Sequence, residues 1–393
     1  MLFRSIIGKV LCGYQGWFAC PGDPLDAGWI HWSRSRARIA PDTLSFDLWP
    51  DMTDYPAEER YPAPGFTNPD GSQAFLFSSQ NPATVQRHFE WMRDYGLDGV
   101  EVQRFVNGLE APENASSTRV LCYARNAAHR TGRVFIVGYD MSGCPEERLF
   151  DLITRDWKFL VDQLKLTDDP RYLHQSGKPV LTLWGFYTER FSGELANKLI
   201  DFFKDDPVYG AWLIGGGEWW WRNETDPEWA RAFRRFNAYE PWNVGNFATD
   251  EAGNKQASTG YWADDKAELA RYGVLYRPVL YPGFSWDNLQ RTEPGTSYIP
   301  RLKGEFLWRQ FVEATNLGIE TAFVAMFDEV DEGTAIFKVT DTPPTQAHFA
   351  TLEGLSSDFY LKLVGLGTRL LRGDEAPPPR SEERRVGKEC RSR

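Results

Sequence analysis

The chain has 393 residues, of which 42% are hydrophobic and 15% aromatic, and it carries a formal net charge of −11. That length and apolar content predict a large buried core, and barrel folds commonly exceed about 250 residues as one domain. The excess of acids disfavours nucleic acid as a partner, because phosphates call for a basic protein face. No apolar run reaches the roughly 18 residues of a membrane-spanning helix, so the sequence predicts no membrane span.

The beginning of the chain, MLFRSIIGKVLCGYQGWF, holds only a short and interrupted apolar stretch before a strand-like segment. We therefore expect a cytoplasmic protein from the sequence as written, or a periplasmic or secreted one if a leader was lost. The five cysteines form no CxxC pair and have no histidine partner at zinc spacing, so we expect no metal or other cofactor. A Cys12–Cys20 disulfide is the alternative in an exported protein.

Short runs of apolar, β-branched or aromatic residues predict eight buried strands, at 9–14, 98–104, 133–139, 179–184, 209–215, 242–247, 277–282 and 321–327. Amphipathic patterns predict helices between most of them, at 81–96, 116–132, 146–164, 189–205, 226–239, 264–273 and 305–318, with 346–364 last. Continuous apolar strands that alternate with helices indicate a parallel sheet covered on both faces.

Eight strand–helix pairs favour a closed (β/α)8 TIM barrel, of the α/β class, as a single domain over residues 7–365. Residues 19–80 lack helical period and are rich in Pro, Gly and aromatics, so we predict a long loop excursion after the first strand. The last stretch, 374–393, is Pro-interrupted and charge-dense. We expect it to be disordered and foreign to the native protein.

The working groups of barrel enzymes come from the C-terminal ends of the strands. Those ends carry aromatic, carboxylate and amide side chains and one arginine, and we expect all five histidines to lie away from them. This set suits a sugar, whose C–H faces pack on aromatic rings and whose hydroxyls need polar partners. The predicted substrate-binding residues are Trp17, Arg104, Asp140, Trp184, Trp219, Asn246 and Tyr281.

The segment MFDEVDEGTAIF, residues 326–337, places Asp328, Glu329, Asp331 and Glu332 directly after an apolar run. On a continued strand, Glu329 and Glu332 would point to opposite faces. Gly333 and the loss of alternation favour a turn instead, in which positions three apart are neighbours. Both carboxyl groups then face one bound sugar, as glycoside hydrolysis requires. The alternative is an acidic turn that simply faces water.

Several segments of the chain resemble glycoside hydrolase family 99, which holds the endo-α-1,2-mannosidases and the bacterial endo-α-1,2-mannanases. They are GYQGWF (13–18), DLWPDMTDY (47–55), residues 75–105, YDMSG (139–143), PGFSW (282–286) and FVAMFDEVDEGTAIFK (323–338). The resemblance implies a (β/α)8 barrel and a metal-independent, retaining endo-hydrolase of α-mannosides. It also implies that Glu329 acts as base on the sugar's own 2-hydroxyl, that Glu332 acts as acid and then as base, and that Tyr14 lines the site.

The expected partner is thus α-mannan or a mannose-containing oligosaccharide, bound by a monomer. Two other readings stay open at this point. One is a glycan-binding barrel without catalysis, or a domain associated with polysaccharide biosynthesis. The other is a conventional retaining glycosidase of different specificity, with Glu218 beside the Trp219–Trp221 cluster as its second carboxylate.

Overall fold

A computed structural model describes residues 4–375, and its central feature is a parallel β-barrel surrounded by helices. The barrel strands are β1 (Val10–Tyr14), β4 (Gly99–Phe105), β5 (Val134–Asp140), β7 (Lys178–Phe186), β8 (Trp212–Gly217), β9 (Ala238–Pro241), β12 (Leu275–Tyr276), β13 (Val279–Leu280) and β14 (Ala322–Val324). The strands outside the barrel are β2 (Tyr61–Thr67), β3 (Gln73–Leu76), β6 (His174–Gln175), β10 (Phe247–Thr249) and β11 (Lys255–Ala257).

The barrel closes through a seventh strand that is broken into two short pieces. β12 pairs in parallel with β9, and β13 pairs in parallel with β14, which in turn pairs with β1. Only Arg277 and Pro278 separate the two pieces. Proline has no N–H to donate to a neighbouring strand, so the ladder is interrupted there. The (β/α)8 prediction is confirmed.

Helices cover the outside of the barrel at α1 (Pro82–Asp94), α2 (Ser116–Thr131), α3 (Glu146–Asp162), α4 (Gly193–Asp205), α5 (Pro227–Phe233), α6 (Trp262–Ala270), α7 (Asp287–Gln290), α8 (Glu305–Asn316) and α9 (Phe359–Arg372). Local sequence sets several of these boundaries. Asn81 caps α1 by accepting a hydrogen bond from the Ala83 amide, and Pro82 occupies the first helical position. α2 ends at Gly132, which has the left-handed φ of 73° typical of a C-terminal stop.

Two predicted elements are displaced from those observed, and the predicted helix 226–239 is shorter than expected. The predicted strand 242–247 is wrong, because the sixth barrel strand is 238–241 and α5 ends at Phe233 to make room for it. The predicted helix 346–364 is displaced to 359–372. The residues before it, including the buried Phe349 and Leu352, pack in irregular chain. The apolar spacing of both segments reports burial without specifying which backbone conformation achieves it.

The excursion over 19–80 contains no α-helix, as predicted, but it is ordered and includes the hairpin β2–β3. Its core is aromatic: the Trp32 ring lies 4.2 Å from Phe18 and 5.1 Å from Phe77, centroid to centroid. The backbone amides of Asp47 and Leu48 both donate to the Val330 carbonyl oxygen. The excursion therefore packs directly against the acidic segment.

A charged triad fills part of the barrel interior. Arg277 Nη1 lies 3.0 Å from Glu101 Oε2 and also contacts the Glu240 carboxylate, and all three side chains are buried. Gly138 makes room for it, since a Cβ there would lie 2.5 Å from Glu101 Oε1. Burial raises the pKa of Glu240 to about 8 and also raises that of Glu101. At neutral pH the triad therefore keeps a proton, which limits the unpaired charge buried inside the barrel.

The limits of the domain stay a prediction, although α9 continues to Arg372, past the predicted end at residue 365. Most of the predicted disordered tail, residues 376–393, lies outside the described residues, as does Cys390. Within residues 4–375, no helix combines the length and apolarity needed to cross a bilayer.

Candidate active site

The acidic segment leaves β14 and turns over the C-terminal end of the barrel. Phe327 N donates to the Gly13 carbonyl at 2.7 Å, which continues the ladder with β1. The chain then forms a turn closed by the Gly333 N–H to the Val330 carbonyl at 3.3 Å. Glu329 immediately precedes this turn and Glu332 lies within it. The backbone thus leaves the strand where the lost alternation predicts that it should.

Neighbouring elements hold the turn in place through its backbone. Arg301 Nη2 donates to the carbonyls of Gly333 at 2.9 Å and Ala335 at 2.7 Å. The Ser285 amide donates to the Glu332 carbonyl at 2.9 Å. Because these bonds engage main-chain groups, the carboxyl groups of the turn stay available.

Glu329 and Glu332 both line a cavity of about 340 Å³ at the C-terminal mouth of the barrel. A second cavity, of about 500 Å³, adjoins it and shares Trp184, Trp242 and Glu332 as lining residues. We call these the acidic cavity and the outer cavity. Together they form one cleft with Glu332 at the junction.

Burial and the charges of neighbouring carboxylates raise the pKa values of both glutamates. The pKa of Glu332 rises to about 7, first through burial and then through the charges of Asp331 and Asp140. The pKa of Glu329 rises well above its usual value, through burial and then through the charge of Glu332. Two buried carboxyl groups that repel each other ionise in sequence, so the pair holds a single proton over a range of pH.

Asp328 ties the acidic segment to the end of β1. Its Oδ1 accepts from the Gln15 amide at 2.8 Å and its Oδ2 from the Gly16 amide at 2.9 Å. This fixes Gln15, whose side chain hydrogen-bonds Glu329 and thereby opposes the rise in the pKa of that carboxyl. Asp328 is itself fully buried, and burial raises its pKa to about 7. Asp328 thus holds Gln15 in its place in the lining of the acidic cavity.

Asp140, at the end of β5, supplies a further carboxyl to the acidic cavity. Its Oδ1 accepts from the Ser142 amide at 2.8 Å. Burial raises its pKa to about 6, and hydrogen bonds from Ser142 and the positive charge of Arg190 oppose that rise. The charge of Asp140 in turn raises the pKa of Glu332.

Trp17, His31 and Asp331 form one wall of the acidic cavity. The rings of Trp17 and His31 stack with centroids 3.8 Å apart and planes 5° from parallel. His31 Nδ1 lies 3.1 Å from Asp331 Oδ2. The backbone of His31 has a positive φ of 62°, an uncommon conformation for a non-glycine residue. The stack and the Asp331 contact orient this imidazole toward the cavity.

Five of the residues predicted for the site line the acidic cavity together: Trp17, Asp140, Trp184, Glu329 and Glu332. The structure therefore brings together groups from β1, β5, β7 and the segment after β14. Their individual roles remain predictions.

The other five predicted site residues lie outside both cavities. The Tyr14 hydroxyl is buried 2.9 Å from His88 Nδ1. Arg104 is fully buried in an ion pair with Asp156. The Tyr281 hydroxyl donates to the carbonyl of Asn246, and Trp219 packs on Trp220 with centroids 4.0 Å apart. Glu218, the alternative carboxylate, accepts from the Trp220 amide at 3.0 Å and also lies outside both cavities.

Sequence reasoning missed other residues of the acidic cavity, namely Gln15, His31, Gln103, Phe105, Ser142, Trp242, Leu289 and Asp331. A signal existed for two of them, because alternate residues of a strand face opposite sides. With Arg104 facing the helices, Gln103 and Phe105 must face the barrel interior and its mouth. No local signal identifies His31, which reaches the site from the excursion and corrects the expectation that every histidine lies elsewhere.

The cavity wall offers polar atoms that the described part of the protein leaves without partners. They are Gln15 Oε1, Trp17 Nε1, Gln103 Oε1, Trp184 Nε1 and Asp331 Oδ1. Buried polar atoms normally find hydrogen-bond partners. Donors and acceptors set among aromatic rings suit a ligand with many hydroxyl groups. Within residues 4–375, no group of three or more His, Cys, Asp or Glu side chains is arranged to hold a metal ion.

The fold and the site thus define a (β/α)8 barrel with a carboxylate-lined cleft at its C-terminal mouth. Among solved structures, the chain is similar to the family 99 endo-α-mannosidase from Bacteroides thetaiotaomicron, with a TM-score of 0.69 and 15% identity over 94% of this chain and 99% of that one. The same enzyme in complex with bis-tris propane gives a TM-score of 0.68 and 14% identity over the same shares.

A glycoside hydrolase-like protein is more distant, with a TM-score of 0.51 and 13% identity over 88% of this chain and 99% of that one. At these identities the likeness shows a shared fold, and it confirms the resemblance to family 99 at that level. No protein-family model matches the chain. No curated protein matches it either.

Proposed function

We propose that the protein is a retaining, endo-acting α-mannoside hydrolase that cleaves internal mannosidic bonds next to α-1,2-linked sugars. The observation that carries the proposal is the placement of Glu329 and Glu332 on one cavity, where the charge of Glu332 raises the pKa of Glu329. The likeness in fold to a family 99 endo-α-mannosidase supports the same reading.

In the proposed reaction, Glu329 removes the proton of the sugar's 2-hydroxyl. The 2-oxygen attacks C1 and forms a C1–O2 bond, while the bond from C1 to the leaving oxygen breaks. Glu332 donates its proton to that leaving oxygen, which gives a 1,2-anhydro sugar. Glu332 then takes a proton from water, the water oxygen opens the epoxide at C1, and Glu329 returns its proton to O2. Two inversions at C1 retain the configuration.

This cycle needs exactly one proton on the two glutamates at its start, and their coupling provides that state. In the free site, burial disfavours ionisation of both glutamates. A bound sugar places the negative charge on Glu329, because its 2-hydroxyl donates a hydrogen bond that stabilises the ionised form of that carboxyl. The proton then resides on Glu332, beside the leaving oxygen.

The shape of the cleft fits cleavage within a chain. The acidic cavity holds the reacting sugar between the Trp17–His31 stack and Trp184, and the orphan polar atoms meet its hydroxyl groups. The outer cavity begins at Glu332 and receives the sugar on the leaving side. Sugars on both sides of the scissile bond therefore find a lined surface.

The test is to assay Glu329→Gln and Glu332→Gln on an α-mannosyl-1,2-mannoside and on yeast α-mannan. We expect each variant to lose about a hundred- to ten-thousandfold in kcat, because acid–base groups commonly contribute about 10² to 10⁴. Both should stay folded, since Gln preserves the shape of the side chain and removes a buried charge. Glu218→Gln is the matched control and should keep its activity.

Full activity in either site variant would contradict the proposal. Loss of activity in Glu218→Gln would instead favour the conventional glycosidase, which also cleaves 2-deoxy substrates that have no 2-hydroxyl to attack C1. Binding of mannan without any release of reducing ends would favour the non-catalytic barrel. The anomeric form of the first product, read by NMR, tests retention directly.

A further inference from the structure

The two halves of the cleft differ in charge. Asp140, Glu329, Asp331 and Glu332 line the acidic cavity, and among the described residues that line it there is no Arg or Lys. The outer cavity has Arg190 and Lys255 in its lining, and Glu332 at the junction is its sole acid among the described residues. This is unexpected in a chain with a net charge of −11.

Arg190 is held in place without a carboxylate partner. Its guanidinium lies over the Tyr187 ring at 4.3 Å from the centroid and over the Trp184 ring at 5.1 Å. Its Nη1 donates to Ser142 Oγ at 3.1 Å. No carboxylate of residues 4–375 lies within ion-pair distance of it. Stacking on aromatic rings fixes the plane of an arginine and leaves its remaining N–H groups free for an oxyanion.

Lys255 approaches the same cavity from the β10–β11 hairpin. Its Nζ donates to the Tyr298 carbonyl at 2.6 Å and lies 4.6 Å from the centroid of the Phe247 ring. As with Arg190, the described part of the chain places no carboxylate within ion-pair distance of it. Ser297 adds a hydroxyl group to the same wall. The outer cavity thus combines two cations, aromatic rings and small polar groups.

From this asymmetry we propose that the outer cavity binds an anionic substituent, a phosphate or a carboxylate, on the sugar at the leaving side of the scissile bond. The inference rests on the proposed function for its orientation, since Glu332 marks the leaving oxygen. Cations that stack on aromatic rings or bond a carbonyl, and that form no ion pair, favour an oxyanion through charge-assisted hydrogen bonds. The preferred substrate is then an acidic α-mannoside rather than a neutral one.

The test measures binding, which does not require turnover, by isothermal titration calorimetry. The probes are α-mannosyl-1,2-mannose, the same disaccharide with a 6-phosphate on its reducing-end sugar, and the same disaccharide with that C6 oxidised to a carboxylate. We expect at least one acidic probe to bind about tenfold more tightly than the neutral one, in line with hydrogen bonds to charged groups. Which one does so identifies the substituent. Raising the salt concentration should reduce the advantage.

Arg190→Met and Lys255→Met should each reduce the affinity advantage of the acidic probe over the neutral one about three- to tenfold. Lys198→Met is the matched control, because Lys198 is exposed on α4, over the Phe150 ring, and lines neither cavity. It should leave the advantage intact. Circular dichroism checks that each variant is folded.

Equal affinity of the wild-type protein for all three probes would overturn the proposal, and so would an advantage that survives both cavity substitutions. Failure of the proposed function looks different. In that case acidic probes still bind more tightly through Arg190 and Lys255, while α-mannosides are not cleaved.

Discussion

At the scale of single residues, Asp331 acts on both candidate catalytic groups at once. It lies between them in the sequence, lines the same cavity, and its charge raises the pKa of Glu329 and of Glu332. His31 contacts one of its oxygens, and the other has no partner within the described residues. Asp331 thus sets the pH range in which the glutamate pair holds one proton.

This role gives a pH prediction for Asp331→Asn. In the wild-type protein Glu332 is protonated below its pKa of about 7, so kcat/KM should fall as pH rises through that value. Removing the charge of Asp331 lowers the pKa of both glutamates. Both limbs of the pH–rate profile should therefore move to lower pH, since the acid loses its proton earlier and the base ionises earlier.

Asp205→Asn is the control for that experiment. Asp205 is an exposed carboxylate at the end of α4, outside both cavities, so its removal should leave the profile in place. If Asp331→Asn leaves both limbs where they are, the charge of Asp331 does not govern the pair. Activity is followed on a neutral α-mannoside from about pH 4 to pH 9, a range that brackets the cited pKa of Glu332.

Sequence reasoning identified residues that reach the cavity where chemistry and position both pointed to the same place. The acids after a buried strand and Trp17 after the first strand reach the cavity for this reason. It failed where only the strand end was considered, as at Arg104, which faces the helices and pairs with Asp156. His31 was out of reach, because only the tertiary path of the excursion brings it to the mouth.

At the scale of elements, the acidic segment depends on close backbone packing at Gly333. Its φ is 63°, and a Cβ there would lie 2.7 Å from Ser285 N and 2.8 Å from Ser285 O. Ser285 in turn hydrogen-bonds the Asp47 carboxylate from the excursion. Any side chain at this position therefore displaces the turn that carries Glu332.

Gly333→Ala should consequently cost both stability and activity. A left-handed alanine costs about 1–2 kcal/mol, and a steric clash with rigid backbone adds about 1–3 kcal/mol. The free energy of unfolding from urea titration and kcat on an α-mannoside are the two measurements. We expect a loss of kcat of at least about tenfold, because small displacements of a catalytic group are costly.

Gly273→Ala separates the two contributions to that cost. Gly273 has a similar φ of 67°, but a Cβ there meets no atom within 4 Å. This variant should show the conformational cost alone and keep full activity. Equal effects of the two substitutions would mean that the contact with Ser285 is unimportant.

Helices with a clear apolar periodicity were predictable from the sequence. Short segments in which buried helix and strand follow each other closely were not. α1 to α4 match their predictions because an apolar stripe and local stop signals agree, as at Gly132. The sixth strand was misplaced because the fully buried Ala238–Pro241 closely follows a short helix whose inner face is also buried. In such a stretch, apolar residues mark the interior without distinguishing helix from strand.

At the scale of the whole molecule, the barrel was predictable because eight strand–helix alternations leave few arrangements. The division of the cleft was not, since it depends on how the excursion and the β10–β11 hairpin pack over the mouth. Charged residues far apart in the sequence line opposite halves of that cleft, with Asp140 in the acidic cavity and Lys255 in the outer cavity. Sequence periodicity does not predict which distant residues come together at the mouth of the barrel.

The broken seventh strand makes the barrel wall uneven in its resistance to local opening. On the far side, β4 and β5 are paired without interruption from Gly99–Val134 to Phe105–Asp140. At the break, two-residue pieces face each neighbour, and the Arg277 guanidinium connects them from inside to Glu101 and Glu240. The backbone amides of Leu275–Leu280 should therefore exchange with deuterium faster than those of β4 and β5. Arg277→Met should increase the exchange rate of these amides further. If hydrogen–deuterium exchange shows equal protection of the amides in all barrel strands, backbone hydrogen bonds alone are sufficient to keep the barrel closed.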